Sequence, residues 1–189
     1  MHFLGISGSL RKQSYNTAAL RACAQLLPEG VTMELADISG IPLYNEEIRE
    51  QGLPAAVQQL REKIAAADAL VIATPEYNYS VPGVLKNAID WASRPPSQPF
   101  DGKPIALLGA TPGGLGTARS QYHLRQIFVY LNGQILNKPE VMISAAPTKF
   151  DAQGQLTDTA TADHMKSMLA ALAEWTRVLS VGSTVRGKT

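Results

Sequence analysis

The chain has 189 residues, of which 45% are hydrophobic and 17% charged, with a formal net charge of +1 and one cysteine. This composition predicts one domain over residues 1–189 that buries its own core without metal or disulfide staples, and it excludes an internal disulfide or a cysteine metal cluster. Charges are spread along the chain, so there is no basic stripe for nucleic acid and no polybasic or amphipathic membrane anchor. The expected partners are small molecules or copies of the chain itself.

Phe3 to Ser7 is a short apolar run and predicts a first strand. No charged leader precedes it and no apolar run reaches the roughly 18 residues of a membrane span, so a cytoplasmic protein is expected. The strand leads into Gly8-Ser9-Leu10-Arg11-Lys12-Gln13-Ser14-Tyr15-Asn16, and a helix follows with Ala19, Cys23, Leu26 and Leu27 on one face. The loop lacks G-x-G-x-x-G and the G-x-x-x-x-G-K-[ST] of nucleotide triphosphatases, so neither a Rossmann dinucleotide site nor a P-loop is supported. Two readings remain. Ser14 or Asn16 caps the helix, or Ser9, Ser14, Asn16, Arg11 and the N–H groups at the helix start cradle a phosphate dianion.

Pro28-Glu29-Gly30 ends that helix, and Val31 to Leu35 alternates apolar and polar residues as an edge strand does. Asp37 to Gly52 reads as irregular surface chain. Leu53-Pro54 then opens a helix with Val57, Leu60, Ile64 and Ala67 inward. Ala69 to Ala73 is apolar throughout and predicts a central strand. It runs into Thr74-Pro75-Glu76-Tyr77-Asn78-Tyr79-Ser80-Val81-Pro82-Gly83, a stiff loop that either binds a ligand at the strand's C-terminal end or covers the sheet edge with its tyrosines.

Val84, Leu85, Ala88, Ile89 and Ala92 mark a helix stopped by Pro95-Pro96, with Trp91 as packing. A fourth strand, Ile105 to Leu108, precedes Gly109-Ala110-Thr111-Pro112-Gly113-Gly114-Leu115-Gly116. The four glycines of that loop permit positive φ and close approach to a flat ligand, or make a flexible connection. A helix from about Thr117 to Leu131 follows, then a fifth strand within Gln134 to Ser144 broken at Asn137-Lys138-Pro139, and a last helix from about Asp158 to Leu179. Its stripe of Met165, Met168, Leu169, Leu172, Thr176 and Leu179 is core. The β-α alternation implies one doubly wound parallel sheet, with the loops after strands one, three and four on its C-terminal edge. Together they suit a ligand with a phosphate tail and a planar ring, and FMN fits that description.

Three blocks carry a family resemblance: Gly8 to Asn16; Pro75 to Gly83 with Leu85-Lys86-Asn87-Ala88-Ile89-Asp90-Trp91; and Arg119-Ser120-Gln121-Tyr122-His123-Leu124-Arg125-Gln126. They resemble the NADPH-dependent FMN reductases, in particular the branch with bacterial chromate and quinone reductases, and the likeness covers nearly the whole chain. It implies a flavodoxin-like five-stranded sheet of order 2-1-3-4-5 with helices on both faces. It implies FMN as cofactor and NADPH or NADH as donor, with electrons passed to quinones, azo compounds, free flavin or oxidised metal ions such as chromate.

By the resemblance, Ser9, Arg11, Ser14 and Asn16 hold the FMN phosphate, with Leu10 and Tyr15 in the same loop. Pro75, Glu76, Tyr77, Asn78 and Tyr79 line the ring and ribityl side, and Thr111 stands where relatives often carry serine. Backbone N–H groups near Gly113 and Gly114 would stabilise charge left on the reduced ring. No residue is assigned to proton transfer, because the flavin carries the chemistry. His2, His123 and His164 read as surface or packing residues. A homo-oligomer is expected, a dimer at least and by family likeness a tetramer: Arg119, Tyr122 and Arg125 lie away from the helix stripe of Leu124, Ile127, Phe128 and Leu131, and either meet Glu140 across a two-fold axis or form a solvated helix face. A rival reading is a flavin-binding electron carrier or redox sensor without NAD(P)H turnover, which the near-neutral charge disfavours. A phosphoacceptor domain would need acids where Ser7 and Thr74 stand.

Overall fold

In the computed structural model, which describes residues 1–186 and side chains as far as residue 181, the apolar runs form the middle of a parallel sheet. The strands are β1 (His2–Ser7), β2 (Thr32–Ala36), β3 (Ala69–Ala73), β4 (Pro104–Ala110), β5 (Gln134–Ile135) and β6 (Val141–Ile143). Their order is β2-β1-β3-β4-β5, with β6 also on β4, so the fifth position is one strand in two pieces, and the break falls at Asn137-Lys138-Pro139. Every pairing is parallel: Phe3 stands opposite Ala69, Ser7 opposite Ala73, and Ala73 opposite Leu108.

Side chains alternate across a strand, so β1 sends Phe3 to one face and Leu4 and Ile6 to the other. Phe3, Val71 and Leu108 pack on α1 (Tyr15–Gln25) and α6 (Thr159–Arg186) through Ala19, Cys23, Met165, Met168, Leu169 and Leu172. Leu4, Ile6, Leu70 and Ile72 meet α3 (Ala55–Ala66), α4 (Gly83–Ala92) and α5 (Ala118–Tyr130) through Leu60, Ile64, Leu85, Ile89, Leu124 and Phe128. Burial on both faces explains the unbroken apolar runs of β3 and β4. Trp91 is fully buried, its indole N–H donating to the carbonyl of Pro42 at 2.8 Å.

Three local expectations change. The segment 37–52 is not wholly irregular, because α2 (Glu46–Glu50) forms behind Asn45, whose side chain accepts from the N–H of Glu47, with Glu46 and Glu47 at its positive end. Strand β4 runs on through Gly109 and Ala110. A Cβ on Gly109 would lie 1.7 Å from Thr117 Oγ1, so its glycine serves close packing of the following loop, not a turn. Of the loop's four glycines only Gly116 takes a positive φ. Among the described residues no helix is long and apolar enough to cross a membrane.

Candidate active site

The first loop leaves β1 at Ser7 and enters α1 behind Ser14, whose Oγ accepts from the N–H of Thr17 at 3.3 Å. Capping therefore occurs, and it does not compete with a cradle. The first-turn N–H groups of Tyr15 and Asn16 have no carbonyl one turn back to bond, so they face out at the positive end of the helix dipole. Ser7 and Thr17 share a hydroxyl bond of 2.8 Å, and the guanidinium of Arg11 folds back to the carbonyl of Gln13 at 3.0 Å. Arg11, Lys12 and Gln13 are exposed. The buried Asn16 amide is spent on the end of β4: Oδ1 accepts from the N–H of Ala110 at 2.9 Å and Nδ2 donates to its carbonyl at 3.0 Å. That side chain clamps the first loop to the third.

The second loop turns tightly. Tyr77 and Ser80 exchange both backbone bonds, at 3.1 and 3.0 Å, and Asn78 and Tyr79 both take positive φ, as in a two-residue type I′ hairpin. Both shoulders of this turn rest on α5. The Glu76 carboxylate accepts from the N–H groups of Arg119 at 3.0 Å and Ser120 at 3.2 Å and from the Arg119 guanidinium at 3.1 Å. That guanidinium lies 3.7 Å from the centre of the Tyr79 ring. Ser80 Oγ meets His123 Nδ1 at 2.9 Å, and beneath them the buried Thr74 and Ser120 hydroxyls meet at 2.8 Å. Tyr77 and Tyr79 remain 49% and 66% exposed, an apolar surface that the turn cannot cover itself.

In the third loop Thr111 Oγ1 accepts from the N–H of Gly113 at 3.3 Å, while the Gly113 carbonyl accepts from Ala145 at 3.0 Å. Gly114 has nothing within 4 Å of where a Cβ would stand. Gly116 is the opposite case: with φ at +54°, a Cβ there would lie 2.4 Å from the backbone carbon of Met142. The buried Gln121 amide ties the loop's end to β6, donating to the carbonyls of Gly116 at 3.2 Å and Val141 at 3.1 Å.

The three loops meet in a cleft of ≈ 150 Å³, which brings together Ser9, Arg11, Ser14, Tyr15 and Asn16, then Pro75, Glu76 and Tyr77, then Thr111. Ala110 and Pro112, beside Thr111 in the chain, complete its wall. Leu10 instead faces a neighbouring hollow, and Asn78, Tyr79, Gly113 and Gly114 fall beyond the cleft on exposed parts of their loops. The holding residues Arg119, Ser120 and Gln121 were missed as parts of this site, since nothing local in the sequence links them to Glu76 or Val141.

Other polar residues are occupied away from the cleft. Burial pushes the Cys23 thiol up to about 12, so it stays protonated and inert. His2 meets Thr32 and Glu34, and His164 donates to the carbonyl of Glu140 at 2.7 Å. Partial burial works to raise the Glu140 carboxyl, but Lys138, a bond from Tyr122 and the charge of Arg125 together hold it below the usual carboxylate range. Arg119 does not join that group; it turns to Glu76.

The sequence profile of NADPH-dependent FMN reductases matches residues 1–148. The chain is 62% identical over 176 residues to an NAD(P)H-dependent FMN reductase of Pseudomonas aeruginosa, covering 93% of this chain and 95% of that one. It is 47% identical over 171 residues to a quinone reductase of Escherichia coli, covering 89% and 91%. Among solved structures, FerB of Paracoccus denitrificans, a flavoenzyme NAD(P)H:(acceptor) oxidoreductase, superposes with a TM-score of 0.85 at 33% identity over 93% of this chain and 97% of that one. With that profile matching most of the chain, and relatives aligned over nearly all of it, the protein belongs to the NADPH-dependent FMN reductase family.

Proposed function

We propose that this protein is an FMN-dependent NAD(P)H oxidoreductase that passes electrons to quinones, with FMN seated in the cleft between the three loops. The observation that carries this reading is the convergence of a helix N-terminus, an arginine, an exposed aromatic turn and the open position of Gly114 on one edge of the sheet. These groups fit FMN. A phosphate dianion suits the N–H groups of Tyr15 and Asn16, the hydroxyls of Ser9 and Ser14 and the charge of Arg11. A planar ring suits the apolar flank of Tyr77 and Tyr79 and the space beside Gly114, where a side chain would stand in any other residue.

Bound FMN supplies two-electron chemistry between a nicotinamide donor and an oxidised acceptor. The chain's own residues bind and orient. Asn16 and Glu76 hold loops one and two to the loop-three side by five hydrogen bonds, two from the Asn16 amide and three to the Glu76 carboxylate, so the cleft is organised before ligand arrives. Thr111 positions the Gly113 N–H, and the N–H of Gly114 is a donor available to a carbonyl edge of the ring. No side chain is assigned to proton transfer. The same reading extends the acceptors from quinones to azo compounds, free flavin and oxidised metal ions such as chromate.

The same reading includes a homo-oligomer, at least a dimer and by family likeness a tetramer, meeting through the α5 face. Tyr122, Val129 and Tyr130 are exposed there, with Arg125 and Glu140 beside Tyr122. Light scattering during size exclusion tests this part.

Reduction tests the function itself. Purified protein should be yellow, bleach under anaerobic NADPH, and recover its colour on addition of benzoquinone. Colour that persists under excess NADPH and NADH identifies an electron carrier instead.

A further inference from the structure

Across the first loop from the cleft lies a larger hollow of ≈ 390 Å³, walled by the outer side of that loop, by α1 and by the segment following β2. Its lining holds three cations, Arg11, Lys12 and Arg21, and one acid, Asp37. Lys12 and Arg21 are exposed, and neither has a carboxylate within ion-pair distance among the described residues. Some cations elsewhere are ion-paired, as in Lys63–Glu34 at 2.7 Å and Arg119–Glu76 at 3.1 Å, and others such as Lys103 are spent on backbone carbonyls. Asp37 Oδ1 accepts from the N–H of Ser39 at 2.8 Å, a bond that holds its carboxyl below the ordinary range and leaves an ionised acceptor in the same lining as the cations. Cations around one acceptor suit a sugar hydroxyl with a phosphate next to it.

The hollow opens at the ends of β1 and β2, on the same sheet edge as the cleft. In the order β2-β1-β3-β4, β2 stands three places from β4, a span of roughly 14 Å at about 4.8 Å per strand. A donor whose nicotinamide lies over loops two and three extends beyond them, and a dinucleotide is long enough to reach β2 along this edge. We propose that the hollow is a subsite for a phosphorylated ribose, the adenosine 2′-phosphate end of NADPH, with Lys12 and Arg21 on the phosphate and Asp37 on a ribose hydroxyl. This deepens, and rests on, the reading of the protein as an NAD(P)H oxidoreductase.

The test compares NADPH with NADH on FMN-loaded parent, Lys12→Gln, Arg21→Gln and the double variant, all surface changes. A charge-assisted bond contributes about 1.5–3 kcal/mol, so the double variant should raise KM for NADPH by about tenfold or more, with KM for NADH and the Kd for FMN within about twofold. Equal loss with both nucleotides, loss of FMN affinity, or no change in any of them overturns the assignment. Calorimetry with adenosine 2′,5′-bisphosphate and 5′-AMP gives a readout besides turnover. The bisphosphate should bind the parent more tightly than 5′-AMP and lose that advantage in the double variant; equal affinity in the parent contradicts the subsite. A parent that oxidises neither nucleotide defeats the reductase reading, while the bisphosphate titration still decides the subsite.

Discussion

Glu76 and Arg119, 43 residues apart, join the second loop to the start of α5 at three points, two on backbone N–H groups and one on the guanidinium that also stacks on Tyr79. One carboxylate thus caps a helix and fixes the turn that flanks the cleft. The carboxylate side chain is 12% exposed and that of Arg119 38%, so the backbone bonds carry more of the energy than the screened ion pair. Glu76→Ala should cost about 2 kcal/mol of stability by denaturant titration and weaken FMN binding, since both cap and turn are released. Unchanged stability would show that α5 holds the turn without this bond.

Asn16 offers a second structural test. Removing its amide leaves the N–H and C=O of Ala110 unpaired in the interior, at roughly 1–3 kcal/mol each. Asn16→Ala should therefore lower stability by about 2–4 kcal/mol even in apo-protein. Asn16→Asp keeps only the acceptor and should not restore it. A loss seen only when FMN is present would instead make Asn16 a ligand contact.

The glycine loop separates conformation from access. Gly116→Ala puts a methyl into the Met142 backbone at a positive φ and should destabilise the fold by more than about 2 kcal/mol. Gly114→Ala meets no atom within 4 Å. Its stability should stay within about 0.5 kcal/mol of the parent, while FMN binding weakens because the methyl enters the space assigned to the ring. Thermal melts of both apo-variants, followed by FMN titration of Gly114→Ala, check the pair.

Glu140 sets a pH dependence. Its folded pKa is depressed, so the ionised carboxylate's contribution is fully present above the unfolded value of about 4.3 and is lost as pH falls through the folded one. Glu140→Gln should be less stable than the parent at pH 7, by about 1 kcal/mol or less given the exposure of Lys138, with the difference closing below about pH 4. Melting curves from pH 7 to pH 3 follow it; a gap that widens toward acid contradicts the sign.

Much of this was legible in the sequence because burial writes itself as pattern. Ala69–Ala73 is apolar throughout because both its faces are covered, and the Ser14 cap and the break at Pro139 follow from local backbone chemistry. The places of the three loops, after β1, β3 and β4, follow from the same alternation of strand and helix. What was not readable depends on partners far apart in the chain. Glu76, expected on the ring and ribityl side of the flavin, stands in the wall of the cleft with both its oxygens taken by α5; Asn16 binds Ala110 from 94 residues away. Gly109 belonged to the loop on composition, and only the packing of Thr117 against it explains its place in the strand. The helix at Glu46–Glu50 had its signal in Asn45 and the two glutamates, in a segment otherwise punctuated by glycine and proline.

Titration of apo-protein with FMN and with riboflavin tests whether the first loop seats the phosphate of FMN. The two ligands share the ring and differ in the phosphate, and Arg11 supplies a formal charge in the cleft. The parent should bind FMN more tightly than riboflavin, and Arg11→Ala should reduce FMN affinity by roughly ten- to a hundredfold while leaving riboflavin affinity unchanged. Equal affinity of the parent for both ligands, or a variant that binds FMN as tightly as the parent, would contradict it.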